Sequence, residues 1–378
     1  MKPLIIVDAT DIDRPSGVRT AVLELFQSVF LQSESTQWQF TVLVSQYEPA
    51  FNHRHVKQII IPRLTRPVER LIVQLYVTYF TLIKHAAIVH FARTIGGIGW
   101  PAHTIITVFD ATTLKLPHLH SRSAIFFWKH IQPKFFQAAE QIIVISNDVK
   151  NDLIHLMHVP EDKIAVIYCA PKKLFNNPPT LEEIQKIREK YNLPPRYLLY
   201  IGLIAKKKNL STLIQALSIL SNQGYIPPLI LAGRSYKQSD GSDIFRLIKT
   251  LKLMDKVSYI GAVPDQDLRG LYGGAEIFIY PSLHEGFGIP CIEAMRCGVP
   301  VIASHSGAIP EITQDAALLV APATDATALS KAIQQLLEDK RYYEELSRKG
   351  LEHSQLFSWE KSAQQLIQLY QQVLGEEQ

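Results

Sequence analysis

Cysteine is scarce in this chain of 378 residues: Cys169, Cys291 and Cys297 are the only three. An odd number without metal-ligand spacing argues against a disulfide framework or a structural zinc site, and suits a reducing compartment with buried, inert thiols. Long apolar runs are missing too. The longest, Leu71 to Ile83, is broken by Gln74 and falls short of the roughly 20 residues that a membrane-spanning helix needs. Met1-Lys2-Pro3 runs straight into LIIVDA, a strand pattern rather than a secretory leader. A cytoplasmic chain without a transmembrane anchor is therefore expected. A GxGxxG dinucleotide fingerprint is absent as well, because GGIGWP (Gly96–Pro101) has the wrong spacing and runs into proline. His118 and His120 stand too close together for an i, i+4 ligand face, so no metal site is assigned.

Acid is lacking in the first half. Residues 1–175 carry 18 Lys+Arg against 13 Asp+Glu, whereas the remainder is nearly balanced within an overall charge of +4. Between Phe51 and Arg93 seven basic residues (Arg54, Lys57, Arg63, Arg66, Arg70, Lys84, Arg93) face one acid, Glu69. An apolar run with basic flanks either lies on an anionic membrane surface or is a core helix with solvated ends. Nucleic acid is not an expected partner, since no recognition motif surrounds the patch.

The length exceeds what one core usually supports, which predicts two domains. Short β-branched runs alternate with helical spacing throughout. Strands are predicted at Leu4–Ala9, Phe40–Ser45, Gln58–Ile61, Ala87–Phe91, Ile105–Phe109, Gln141–Ser146 and Ile164–Tyr168. After a linker-like APKKLFNNPPT (Ala170–Thr180) they resume at Tyr197–Gly202, Pro228–Gly233, Val257–Ala262, Glu276–Tyr280, Pro300–Ser304 and Ala317–Val320. Helical spacing falls between them, including Gly17–Leu31, Val68–Lys84, Ala124–Ala138, Asn209–Ser221 and Ile289–Arg296, and closes the chain at Trp359–Val373. Repeated β-then-α order predicts an α/β protein of two parallel-sheet, Rossmann-like domains facing across a cleft.

The chemistry concentrates at PSLHEGFGIPCIE (Pro281–Glu293). A strand ends at proline, a glycine turn (Gly286-Phe287-Gly288) follows, and Pro290 suits a first helical turn. Backbone N–H groups and the positive end of the helix dipole then form an anion seat, flanked by Glu285 and Glu293. The alternative is an ordinary βα turn. YIGLIAKKKNL (Tyr200–Leu210) sets three lysines after a strand, either to neutralise a diphosphate or as solvated surface. DATDIDRPSGVR (Asp8–Arg19) offers Gly17 and Arg19 at a helix start, or else a βα loop capped by Ser16. Of two Asp-x-Asp triplets, Asp265-Gln266-Asp267 reads as a helix N-cap with a second acid in the first turn, and Asp11-Ile12-Asp13 as part of the glycine loop. Asp110, at the carboxyl edge of a strand, is a candidate acceptor-hydroxyl contact or a turn cap.

Together these residues resemble the retaining glycosyltransferases of family 4, which share the two-Rossmann GT-B fold. The resemblance is densest from Tyr197 to Asp339. Glu285 and Glu293 match its Glu-x7-Glu motif, Lys207 and Lys208 its diphosphate-binding pair, and LAGRSY, IGAVPDQDL, SGAIPEITQDAALLVAP and FSWEKSA look like further family blocks. The resemblance implies an acceptor-binding domain over 1–175 plus a returning C-terminal helix at about 358–378, and a donor-binding domain over 180–355. It implies a hexosyltransferase using a GDP- or UDP-linked sugar, mannose or glucose in type, without metal or other cofactor. Glu285 would hold the donor sugar and Glu293 the ribose, with Gly286, Phe287, Gly288, Lys207, Lys208, Gly17 and Arg19 around sugar and phosphates. Asp110 would serve the acceptor. Many relatives carry His-Asp or His-Glu where this chain has Phe109-Asp110, and some carry arginine where it has Leu203. The first departure leaves open a catalytically weak nucleotide-sugar or glycan-binding protein.

Overall fold

A computed structural model describes the chain except residues 1, 11, 13–15, 34–37, 62–65, 95, 97–101, 225, 236–240 and 376–378, and except the side chains of 66–71 and 241–242. Asp11, Asp13, Arg63 and most of GGIGWP, together with the side chains of Arg66, Glu69 and Arg70, thus lie outside the described residues. The chain forms two compact units, Met1–Ala170 with Phe357–Gln378, and Pro171–Leu356.

The first unit opens with β1 (Leu4–Asp8), α1 (Gly17–Gln32), β2 (Gln39–Val44), β3 (Val56–Ile60), α2 (Arg66–Leu82), β4 (Ile88–Phe91) and β5 (His103–Val108). Three short helices follow, α3 (Thr112–Lys115), α4 (Arg122–Phe126) and α5 (Gln132–Ala138), then β6 (Gln141–Val144), α6 (Asn147–Met157) and β7 (Ile164–Val166). All seven strands pair in parallel in the order β3-β2-β1-β4-β5-β6-β7. The second unit runs α7 (Leu181–Tyr191), β8 (Leu198–Ile201), α8 (Leu210–Ser221), β9 (Leu229–Ala232), α9 (Gly241–Thr250), β10 (Val257–Gly261) and α10 (Asp265–Gly273). It continues with β11 (Ile277–Tyr280), α11 (Ile289–Arg296), β12 (Val301–Ser304), α12 (Ile309–Thr313), β13 (Leu318–Val320), α13 (Ala326–Glu338) and α14 (Lys340–Ser354). Its parallel sheet has the order β10-β9-β8-β11-β12-β13. Central strands such as β4 and β11 are buried at every position, which is why they read as unbroken apolar runs and not as alternation.

In each sheet the winding reverses once, between β1 and β4 in the first unit and between β8 and β11 in the second. Ligands of open α/β sheets sit outside the carboxyl ends of the strands flanking such a reversal. The loops after β8 and β11 are the lysine turn and the Glu-x7-Glu segment.

Two predicted features need correction, and one helix was not anticipated. The helix predicted over Ala124–Ala138 is broken into α4, a π-helical turn at Phe127–Ile131, and α5. Pro133 lacks the N–H that would continue the ladder, and the wider turn absorbs its ring. The segment after the linker is not bare: α7 begins on a capping box in which Thr180 and Glu183 satisfy each other's backbone N–H. Asp265 is the first residue of α10 and not its cap. Pro264 holds the cap position, and Asp265 instead pairs with Lys172 at 2.6 Å.

The last helix, α15 (Trp359–Leu374), belongs to the first unit and packs on α1. Its anchor is a fully buried chain of polar groups: His90 on β4 meets Tyr370 Oη at 2.6 Å through Nδ1 and Thr107 Oγ1 at 2.7 Å through Nε2. Burial pushes the His90 pKa from 6.5 down to about 3, so the folded protein keeps the ring neutral. The unfolded chain takes up the proton below about pH 6.5, so stability is intact above that value and is lost as pH falls towards 3. Between about pH 7.5 and about pH 5 His90 is expected to cost about 2 kcal/mol. Urea unfolding at both pH values should show that loss in the parent and a smaller one in His90→Gln; equal losses would remove His90 as the cause.

Candidate active site

The site in the second unit is assembled from two loops joined by backbone. After β8 the chain makes a tight turn at Lys206–Lys208, and Asn209, in the left-handed region at φ 54°, starts α8. The Asn209 amide donates to Pro281 O at 3.0 Å and to Ala323 O at 2.7 Å, and its carbonyl accepts from Thr212 Oγ1 at 2.8 Å. Leu283 N donates to Lys207 O at 2.8 Å. The lysine turn and the glutamate loop are thereby one piece of structure.

Lys208 Nζ lies 2.6 Å from Glu285 Oε1 and 2.8 Å from Tyr280 Oη, with Glu285 buried. Burial by itself would raise the Glu285 pKa, but the charges of Lys208 and Lys207 outweigh it and hold the carboxylate below its ordinary 4.5. Glu285 is therefore an anion kept out of water. Its backbone is fixed from β12: Ala308 N donates to Glu285 O at 2.9 Å, and Ser304 and Ser306 hydroxyls donate to Ser282 O and Leu283 O. Gly307, at φ 59°, makes that approach possible, since a Cβ there would stand 2.5 Å from Glu285 O.

The Phe287 ring is buried and anchors the glycine turn in the core. Gly288, at φ 105°, is the N-cap of α11, and no side chain caps this helix. An uncapped helix start with Pro290 in its first turn has the polarity to receive an anion. Glu293 follows on α11, buried, where Tyr272 Oη of α10 donates to its Oε2 at 3.0 Å. Tyr272 is itself inaccessible and stacked edge-on against Phe175 and Phe278. The second unit thus brings together Lys207, Lys208, Glu285, Gly286, Phe287, Gly288 and Glu293.

The other candidates lie in the first unit. Ser16 caps α1, accepting from Arg19 N at 3.1 Å, and Gly17 is exposed with open space where a Cβ would be. The Arg19 guanidinium pairs with Glu48 at 3.0 Å and donates to Ile12 O. Asp110 accepts from Thr112 N at 3.2 Å, the geometry of a turn cap. Phe109 lines a small apolar cavity with Ala21, Phe26, Ile145 and Trp359. Asp8, at the carboxyl end of β1, is inaccessible and pairs with Arg93 Nε at 2.8 Å, so Arg93 is not part of a solvated basic patch.

Sequence reasoning missed Tyr272, Tyr280, Asn209 and Gly307. Both tyrosines fall in runs that read as core, and their rings are core; only the hydroxyls reach the carboxylate and ammonium. Asn209 beside a lysine run, followed by a helix, was the available signal for a left-handed helix start.

Two parallel sheets, each with one reversal, define the α/β GT-B class. A sucrose-phosphate synthase from Thermosynechococcus elongatus superposes with a TM-score of 0.79 at 23% identity over 100% of both chains. Anabaena HepE in complex with UDP and glucose gives 0.78 at 16% identity over 98% of this chain and 100% of that one. The family is shown by sequence. Residues 183–353 match the model for glycosyl transferases group 1. O-antigen chain mannosyltransferase B of Escherichia coli is 32% identical over 270 residues, 70% of this chain and 69% of that protein. The chain belongs to the glycosyl transferases group 1 family, and is a transferase acting on a sugar donor.

Proposed function

We propose that the protein transfers a hexose from a nucleoside diphosphate sugar to a glycan or lipid-linked saccharide, with retention of configuration. The observation that carries this reading is the buried, ionised Glu285 locked to Lys208 beside the uncapped start of α11. Lys207, Lys208 and the helix start would receive the diphosphate, Glu293 the ribose hydroxyls, and Glu285 the sugar. In the transfer the bond from the anomeric carbon to the phosphate oxygen breaks, and the acceptor oxygen attacks the same face. The acceptor proton passes to the departing phosphate. Glu285 would stabilise positive charge at the anomeric carbon. No metal is part of this reading.

A GDP-mannose donor is favoured by the mannosyltransferase named among the relatives, with UDP-linked glucose as the competing choice. Thermal shift with GDP and UDP, then mass spectrometry of donor consumption with saccharide acceptors, tests it. No shift with either nucleotide and no consumption with any donor would sink it. The second reading, a weak enzyme that mainly binds, is favoured by Phe109, whose ring faces an apolar cavity. Under that reading Phe109→His would raise turnover; an unchanged rate discards it.

Tyr272→Phe is expected to weaken nucleotide affinity about threefold to tenfold by freeing Glu293 to rotate. Calorimetric titration with the preferred nucleoside diphosphate would show it, and an unchanged Kd would detach Glu293 from the ribose. The proposal also includes peripheral contact of residues 51–93 with an anionic membrane at its inner face.

A further inference from the structure

One helix of the first unit is half bare. On α2, Val73, Val77 and Phe80 are buried, and Thr81 Oγ1 bonds back to Val77 O at 2.9 Å. The opposite side carries Leu75, Tyr76, Tyr79 and Leu82, continued by Ile83, with exposures of 61%, 37%, 45%, 54% and 62%. At the helical turn angle these five side chains fall within one arc of about 120°. No charged residue occurs between Ile72 and Ile83, and no acid anywhere from Arg70 to Arg93. Lys84 and His85 are exposed directly beyond the apolar face, and Arg66 and Arg70 occupy the first turns of the helix.

Isolated exposed apolar residues are ordinary, but a contiguous stripe of this size on one helix needs an occupant. We infer that the outer face of α2 is a docking surface for an anionic lipid bilayer. The occupant follows from the chemistry. Leucine and isoleucine enter the acyl boundary, the two tyrosines have the amphipathic form that settles at the headgroup level, and the exposed Lys84 and His85, in a run free of acid from Arg70 to Arg93, match anionic lipid. No helix among the described residues is long and apolar enough to cross a membrane, so α2 lies on the surface. The inference sharpens the membrane part of the proposal above and removes Arg93 from it, because that side chain is buried against Asp8.

The test is sedimentation with phosphatidylcholine vesicles, with and without phosphatidylglycerol. The protein should co-sediment with the phosphatidylglycerol vesicles and much less with phosphatidylcholine alone. Leu75→Ser with Ile83→Ser should weaken the partition about tenfold, and Lys84→Glu should weaken it to a smaller, salt-dependent extent. Both changes lie on exposed positions. Thermal shift with GDP or UDP on the same samples reports the transferase reading separately. Three results would overturn the inference: parent protein left in the supernatant with phosphatidylglycerol vesicles, a double variant that sediments like the parent, or light scattering showing a parent dimer that the double variant converts to monomer.

Discussion

Glu285→Gln is expected to lower sugar transfer by about 10³-fold while changing nucleotide affinity by less than about threefold. The substitution keeps the shape of the side chain and removes its charge, which is the property the site is built to preserve. Burial opposes the ionised form, and two lysines restore it. In the proposed reaction that charge faces the anomeric carbon only as positive character develops there, so its loss belongs to kcat. The reciprocal change, Lys208→Met, leaves burial as the larger influence and raises the Glu285 pKa. The acid limb of the pH–rate profile should therefore move to higher pH, with activity lost sooner as pH falls. Release of nucleoside diphosphate from the donor reads both effects. Turnover by Glu285→Gln at the parent rate would take catalysis away from this carboxylate, whatever the nucleotide affinity.

Arg93→Met is expected to destabilise the first unit by about 3–5 kcal/mol, a large share of what holds a single domain together. The Arg93 side chain is 8% exposed and Asp8 is inaccessible, and Asp8 Oδ1 also accepts from Thr10 N and Thr10 Oγ1 at 3.2 and 2.8 Å. Removing the guanidinium leaves a carboxylate buried beside the reversal of the sheet with its main counter-charge gone. Asp8→Asn added to Arg93→Met should recover part of the loss, because the pair's worth lies in mutual compensation. Denaturant unfolding followed on the transition of the first unit tests this. A single variant within about 1 kcal/mol of the parent would show that water reaches Asp8 easily.

Much of the fold was legible because parallel strands buried on both faces leave uninterrupted apolar runs, and every predicted strand has its counterpart within a few residues. What escaped was punctuation. Thr180 and Glu183 carried a helix start that lay beside a proline-rich linker, and Pro133 sat in a periodic stretch without ending it. The candidate donor residues were legible from glycine, proline and charge at strand ends. The ion pair of Lys208 with Glu285 was not, because it joins loops after two strands adjacent only in the sheet. Arg93 was misread as surface for the same reason: charge is visible in a sequence, whereas the buried acid that meets it is not.

The return of α15 to the first unit makes the second unit a guest in its host's chain. Tyr168 and Phe357, on either side of the insertion, place their rings 6.0 Å apart, and Tyr168 O accepts from Ser362 Oγ at 2.6 Å. The second unit is one uninterrupted stretch of chain, Pro171–Leu356, whereas the first needs segments from both sides of it. A chain cut after residue 356 keeps all of the guest and strips from the host the helix whose Tyr370 holds His90. Ribosomal synthesis therefore completes the guest first, and the host closes only with the last helix.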